Sequence, residues 1–349
     1  MTAAELQELI ASLPDGAPSA VGRGRRVVVT GCAGFIGSHL TEALLHLGCE
    51  VVGVDALTDY YDPALKRENL AGALAHPAFR FVEADLLALD AVELLSGAAA
   101  CFHLAAQAGV RASWGRHFTE YLDRNILVTQ HLLEACLDPA VRNGLIRFVY
   151  SSSSSVYGER ADLPVTEQAL PQPHSPYGVT KLAAEHLCLL YSANAGVPTS
   201  SLRYFTVYGP RQRPDMAFRK FVDAALDGGP FAMYGDGRQT RDFTYVADAV
   251  RANLLATTAP GVGDVFNVGG GARISLAAAL ERLTALLMPL PDGRTPQIER
   301  HPAARGDVRD TFADRAHVER TIGYRPTVPF DEGLARLVAW ARDRRLARG

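Results

Sequence analysis

Tyr177 and Lys181 stand four residues apart in 174-HSPYGVTKLAAEHL-187. Ser175 reads as an N-cap and Pro176 as the first helical position, so a helix begins here. It puts the tyrosine and the lysine on one face, one turn apart. A tyrosine hydroxyl ordinarily ionises near pH 10. An ammonium neighbour, with a cationic ring bound beside it, favours phenolate and brings that value toward neutrality. Such a phenolate takes a proton from a substrate hydroxyl. Upstream, 151-SSSSSVYG-158 places five hydroxyls at the end of an apolar run, 145-LIRFVY-150. Serine-rich sequence is ordinarily flexible linker. Five serines closing a buried strand instead supply hydrogen bonds to whatever the tyrosine acts on.

A third group of residues binds rather than reacts. In 30-TGCAGFIGSHL-40 the glycines Gly31, Gly34 and Gly37 recur every third residue between a β-run and a helix opening. Glycine lets the backbone approach a pyrophosphate, and the helix N-terminus offers unpaired N–H groups and a positive dipole end. The spacing alone is weak; strand, loop and a downstream acid together are specific. That acid is Asp55, at the end of the second apolar run, placed to accept from a ribose and to repel a 2′-phosphate. Ala56 and Leu57 follow it, with no arginine to welcome such a phosphate, so NAD is expected rather than NADP. Phe35 and Ile36 complete the loop. Asp85 and Leu86 end the third run, where the adenine belongs, and Leu104, Ala105, Ala106 and Gln107 follow the fourth beside the cofactor. Asn125 sits on the polar side of an otherwise apolar helix.

These groups need a scaffold that brings strand ends together. Short apolar runs at 26–31, 50–55, 79–85, 100–106, 146–152, 199–205 and 264–269 alternate with helical stretches at 35–47, 63–75, 90–95, 117–137 and 176–195. Continuous apolar strands alternating with helices predict a parallel sheet covered on both faces: an α/β, Rossmann-type doubly wound fold. Past residue 206 the regularity weakens and Gly, Pro and Arg become frequent, which predicts a smaller C-terminal α+β portion. At the N-terminus, residues 3–13 suit a short amphipathic helix and 14–24 a linker. No internal repeat is present.

Composition excludes several classes. The chain of 349 residues is 48% hydrophobic and 21% charged, the balance of a globular protein with a large core. A formal net charge of -3, with only the short basic clusters 23-RGRR-26 and 211-RQR-213, argues against nucleic-acid binding. Five cysteines without paired spacing read as free thiols of a reducing, cytoplasmic protein. Histidines and cysteines show no metal-ligand spacing, so no metal is expected. There is no signal-peptide pattern and no run of 18 apolar residues, so no membrane span is expected.

Together 30-TGCAGFIG-37, 151-SSSSSVYG-158 and 177-YGVTK-181 resemble the extended short-chain dehydrogenase/reductase family and its nucleotide-sugar epimerases, decarboxylases and dehydratases. The resemblance runs over about residues 26–340. It implies that Ser153, Tyr177 and Lys181 act together on a sugar C4 hydroxyl while hydride passes to NAD, with Ser151 and Tyr204 also beside the cofactor. It divides the chain into an extension and linker (1–25), an NAD-binding domain (26–205, with returns around 235–270) and a mainly UDP-sugar-binding domain (206–349). The two positions before VYG separate the reactions: dehydratases resemble TDEVYG there and decarboxylases TSEVYG. Ser154 and Ser155 carry no carboxylate, so chemistry beyond oxidation at C4 lacks its acid or base. Epimerisation without net redox change remains.

The stretches 59-DYYDPALKRENL-70, 203-RYFTVYGPRQRPDMAF-218 and 305-RGDVRDT-311 are similar to UDP-glucuronate 4-epimerases. On that resemblance Ser154, Ser155 and Thr206 would hydrogen-bond the hexuronate carboxylate and hold it out of the geometry in which a β-keto acid loses CO2. Arg241, Arg305 and Arg111 would face the diphosphate, and Arg213 and Gln239 the substrate. Met216, Ala232 and Tyr234 would pack on uracil, and Asp307 would bind the uridine ribose. Helices 117–137 and 176–195, with apolar residues such as Leu182, Leu187 and Leu190, would form a homodimer bundle. The alternatives are an epimerase of neutral UDP-hexoses, a decarboxylase-like enzyme, a net redox enzyme releasing NADH, and a non-catalytic scaffold with a broken Tyr/Lys pair; here both residues are present.

Overall fold

The computed structural model describes residues 1–13, 21–290 and 293–347. Most of the expected linker, residues 14–20, lies outside them. Seven strands form one parallel sheet: β1 (Arg26–Thr30), β2 (Glu50–Asp55), β3 (Phe79–Glu83), β4 (Ala100–His103), β5 (Arg147–Ser153), β6 (Thr199–Tyr204) and β7 (Asp264–Val268), in the order β7-β6-β5-β4-β1-β2-β3. All seven expected runs are strands. The sheet is doubly wound, as the sequence predicts, and its order reverses between β1 and β4. There the loops after the two strands diverge and leave a crevice at the strand C-terminal ends.

Each central strand is buried along its length because helices cover both faces. On one face lie α1 (Ala3–Ala11), α2 (Phe35–His46), α3 (Pro63–Leu74) and α7 (Val246–Ala256), which share one apolar cluster with strand residues such as Val27, Val29, Phe102 and Leu202. On the other face Leu132, Leu133, Ala184 and Cys188 pack on Val28, Cys101, Phe148 and Tyr150. β3, at one edge of the sheet, is the exception: its residues are half-buried or exposed.

Two helices position the reactive groups. Phe118–Tyr121, a π-helical stretch Leu122–Leu127 and Val128–Ala135 run on as α4. α5 (Pro176–Ala195) is capped by Ser175, whose Oγ accepts from Gly178 N at 3.1 Å, and ends on Gly196 in the left-handed conformation. Beyond β6 come α6 (Ala217–Asp227), α7, α8 (Leu276–Leu287) and α9 (Phe330–Leu346), with the small pairs Pro230–Tyr234 on Gln297–His301 and Thr240–Asp242 on Arg273–Ser275. This is the irregular α+β portion, and β7 is its return to the sheet.

The extension is more than a tether. Thr2 and Glu5 close a capping box at the start of α1. Glu5 Oε1 accepts from Tyr245 Oη (2.7 Å) and Arg336 Nη1 (2.9 Å), and Arg251 Nη2 donates to the Ser12 carbonyl (2.7 Å).

Candidate active site

The crevice is built on the glycine loop. Gly31 adopts φ +70°, and a Cβ there would lie 2.8 Å from Ala105 N. A Cβ on Gly37 would lie 2.1 Å from the Gly31 carbonyl oxygen, so loop and helix close only with hydrogen at that position. Gly34 is the N-cap of α2, and no side chain caps the helix. Its first N–H groups therefore remain available to a phosphate, and the cradle fits a dinucleotide pyrophosphate. Asp55 ends β2 and accepts from Ala33 N (3.1 Å) and Leu57 N (2.9 Å). It thus braces the loop and keeps acceptor capacity for a ribose. Burial pushes its carboxyl above the usual range, against Lys66 and these N–H groups. Asp85 Oδ1 caps the turn Leu86–Ala88 through Leu87 N at 2.9 Å.

The crevice wall contains Gly31, Gly34, Phe35, Ile36, Gly37, Asp55, Asp85, Leu86, Leu104, Ala105, Ala106, Gln107, Ser151, Tyr177, Lys181 and Tyr204. Every residue assigned to the cofactor from sequence is thus gathered there except Asn125. Asn125 is buried behind the wall: Oδ1 accepts from Gln107 N (2.7 Å), and Nδ2 donates to the Gln107 carbonyl (3.1 Å) and Thr180 Oγ1 (2.9 Å). It ties the β4 loop to α5, and the π-helical stretch carries it.

The five serines divide their work. Ser151 Oγ lies 3.4 Å from Tyr204 Oη, and Ser152 Oγ donates to Glu185 Oε2 at 2.6 Å. Glu185 also holds Arg203 through 2.6 and 3.0 Å bonds, a fully buried pair. Ser153 Oγ accepts from Ser155 N and donates to Ser155 Oγ, both at 3.1 Å, turning the strand end into the short helix Ser154–Val156. Ser153, Ser154 and Ser155 are partly exposed; Ser151 and Ser152 are buried.

Burial pushes the Tyr177 phenol above its ordinary value, against the Arg213 charge and a Ser153 hydrogen bond. Burial also pulls Lys181 down to about 7, while Cys188 and Glu185 push it up. The sequence expectation, an ammonium together with a cationic ring, took no account of burial. Both groups are desolvated, which costs each charged form. Tyr121 packs edge-on against Tyr177 at 6.4 Å and donates to the Ala108 and Gly109 carbonyls. His103 lies between Thr30 Oγ1 and Thr129 Oγ1, and burial lowers it to about 3, so it stays neutral.

The residues assigned to the substrate fall into two sets. Arg213 lines the same crevice as Tyr177 and grips Asp215 through 2.9 and 3.0 Å bonds, with Tyr60 Oη on Asp215 at 3.3 Å. Thr206 follows β6. The others lie outside that lining. Arg111 pairs with Asp307 at 2.7 Å and covers the Tyr234 ring at 4.1 Å. Gln239 Nε2 donates to the Tyr234 carbonyl. Arg305 stacks on Trp114 at 3.7 Å, and Arg305, Asp307 and Trp114 line a second depression. Arg241 donates to the carbonyls of Thr240, Val308 and Arg309, so it shapes that loop whatever else it holds. Met216 caps α6, and Ala232 and Tyr234 are exposed on one side of their strand.

Sequence reasoning passed over Tyr60, Asp215, Arg124, Glu185 and Arg203. Tyr60 and Asp215 lie within the stretches 59–70 and 203–218, which it did single out. Arg124 donates to Gln107 Oε1 at 2.7 Å. Glu185 stands one turn past Lys181, where an acid reads as ordinary helix surface. Among the described residues no group of His, Cys, Asp and Glu could hold a metal ion.

The chain has relatives of known family. Residues 27–269 match the model of the NAD dependent epimerase/dehydratase family. The chain belongs to that family. An uncharacterized UDP-glucose epimerase, YtcB, of Bacillus subtilis is 40% identical over 90% of this chain and 97% of its own length. A probable UDP-glucuronate 4-epimerase of Rhizobium meliloti is 36% identical over 90% and 96%. The UDP-glucuronic acid 4-epimerase of Bacillus cereus, in complex with UDP-glucuronic acid and NAD, superposes with a TM-score of 0.86 at 40% identity, over 91% of this chain and 99% of that one. Among family members, then, this chain is similar along nearly its whole length to enzymes named for UDP-sugar epimerisation, and like them it is NAD-dependent.

Proposed function

We propose that the chain interconverts UDP-glucuronate and UDP-galacturonate by epimerisation at C4 through a transient 4-keto sugar. The observation that carries this reading is the end of β5. Hydroxyls alone, from Ser153, Ser154 and Ser155, stand where an acid would open another reaction, directly after Ser151 and Ser152, which line the crevice with Tyr177, Lys181 and Arg213. NAD held in the Gly31–Gly37 cradle would supply the hydride acceptor and donor. Ser153 orients the C4 oxygen, and Tyr177 takes and later restores its proton. Lys181 supports the phenolate. The cation of Arg213 and the hydroxyls of Ser154, Ser155 and Thr206 favour a carboxylate on the sugar. Arg111, Arg241, Arg305 and Asp307 hold the UDP end, with Met216, Ala232 and Tyr234 around uracil.

The division into an NAD-binding part (26–205) and a mainly UDP-sugar-binding part (206–349) belongs to the same reading, as does cytoplasmic action as a homodimer. The five cysteines are free and buried, and Leu127 on α4 and Val179 and Leu190 on α5 are exposed. The rival reading, epimerisation of neutral UDP-hexoses, is favoured by the name of the Bacillus subtilis relative. Incubating the purified protein with UDP-glucuronate or UDP-glucose, and resolving products by chromatography and mass, decides between them. Faster turnover of UDP-glucose, release of a UDP-pentose, or steady NADH accumulation would overturn the proposal.

A further inference from the structure

Lys181 Nζ lies 4.4 Å from the centroid of the Tyr150 ring. Both side chains are buried, at 3% and 1% exposure. Among the described residues Nζ has no hydrogen-bond or ion-pair partner. The acid one turn along α5, Glu185, is fully engaged by Arg203 of β6 and Ser152 of β5. Cys188 and Glu185 push the lysine up, but no titratable neighbour gives Nζ a bonded anion. Cys188 on α5 is kept a thiol by burial, His103 on β4 is neutral, and Tyr177 lies one turn earlier with its phenol raised. Tyr150 is fixed on both sides. It sits on β5 three residues before Ser153, against the His103 ring at 5.9 Å, and its hydroxyl donates to the Lys181 carbonyl at 3.4 Å.

We propose that Tyr150 is a positioning residue for Lys181, its ring face holding the ammonium charged and directed into the crevice. The face of an aromatic ring is the negative end of its quadrupole and attracts a cation most where water is excluded. Burial drives the lysine toward a neutral amine, which would stabilise no phenolate. The ring opposes that drift without adding a carboxylate, which would itself compete for the catalytic proton. The ring and not the hydroxyl supplies the effect, so phenylalanine keeps it and leucine loses it. The consequence for turnover rests on the epimerase reading; the consequence for the lysine does not.

The chain has three lysines, Lys66, Lys181 and Lys220, so each side-chain signal is assignable in NAD-loaded protein carrying 13C-lysine. Lys181→Met identifies the 181 signal. In Tyr150→Phe the Lys181 titration matches the parent. In Tyr150→Leu it falls by about one pH unit, a tenfold loss of ammonium at fixed alkaline pH. The alkaline limb of the kcat profile on UDP-glucuronate moves down with it in the leucine variant only. If Tyr150→Leu does not fold, Tyr150→Met carries the same test. A Lys181 titration unmoved by either aliphatic residue, or moved as far by phenylalanine, overturns the proposal. A shifted lysine in a protein that epimerises nothing would sink the reaction reading and leave this one standing.

Discussion

At the residue scale the centre is two buried groups that each resist their working charge. On the proposed mechanism Tyr177 loses a proton where burial favours keeping it, and Lys181 keeps one where burial favours losing it. Tyr177→Phe should therefore cut epimer formation by about a hundred-fold or more while NAD stays bound, read from product formation and from the absorbance of retained cofactor. Lys181→Met should abolish turnover yet raise Tm. The lysine has a folded pKa of about 7 against an ordinary 10.5, so the unfolded chain holds the proton more tightly. The penalty is full below pH 7 and fades as pH rises toward 10.5. The Tm gain of the methionine variant should thus be larger at pH 6 than at pH 9; a gain independent of pH would contradict this origin. Replacing Ser155 or Thr206 by Ala should yield some UDP-pentose or released keto sugar, detected by mass. Clean epimer at reduced rate would refute the pinning of the carboxylate.

At the scale of elements, two pieces of backbone do what side chains do elsewhere. The β1–α2 turn works because Gly31 and Gly37 have nothing to collide, and Gly37→Ala forces a Cβ to within 2.1 Å of the Gly31 carbonyl oxygen. That variant should bind NAD at least about tenfold more weakly, by titration calorimetry, because the cradle must open to admit the methyl. The π-helical stretch of α4 is the other piece. It sets Asn125 against Gln107 and Thr180, linking the β4 loop to the helix that carries Tyr177. Such stretches recur at functional sites because the extra residue per turn re-aims a side chain.

At the scale of the whole molecule the crevice lies where the sheet order reverses, with Arg213 of the C-terminal portion in its wall. The N-terminal helix spans both parts: its apolar residues join the cluster of α2 and α7, and Glu5 is gripped by Tyr245 and Arg336 of α9. Deleting residues 1–13 removes the buried Leu9 and leaves Arg336 and Tyr245 without Glu5. The truncated protein should melt several degrees lower, by calorimetry, and still form the same product; an unchanged Tm would show the helix to be passively attached.

What the sequence determined by itself was whatever short-range physics encodes. Alternating apolar runs and capped helices specified the seven strands and the flanking helices, and glycine spacing with a trailing acid specified the cradle. Tyr177 and Lys181 share a face because four residues make one helical turn. Only tertiary structure decided how far burial would pull their ionisation and that the charge nearest Lys181 along its helix is spent on Arg203. It alone showed Asn125 as a brace behind the wall, Asp55 serving its own loop, and β3 at the sheet's edge. The reason is the same throughout: desolvation and hydrogen-bond partnership are set by residues tens to hundreds of positions away. No local pattern records which of them will arrive.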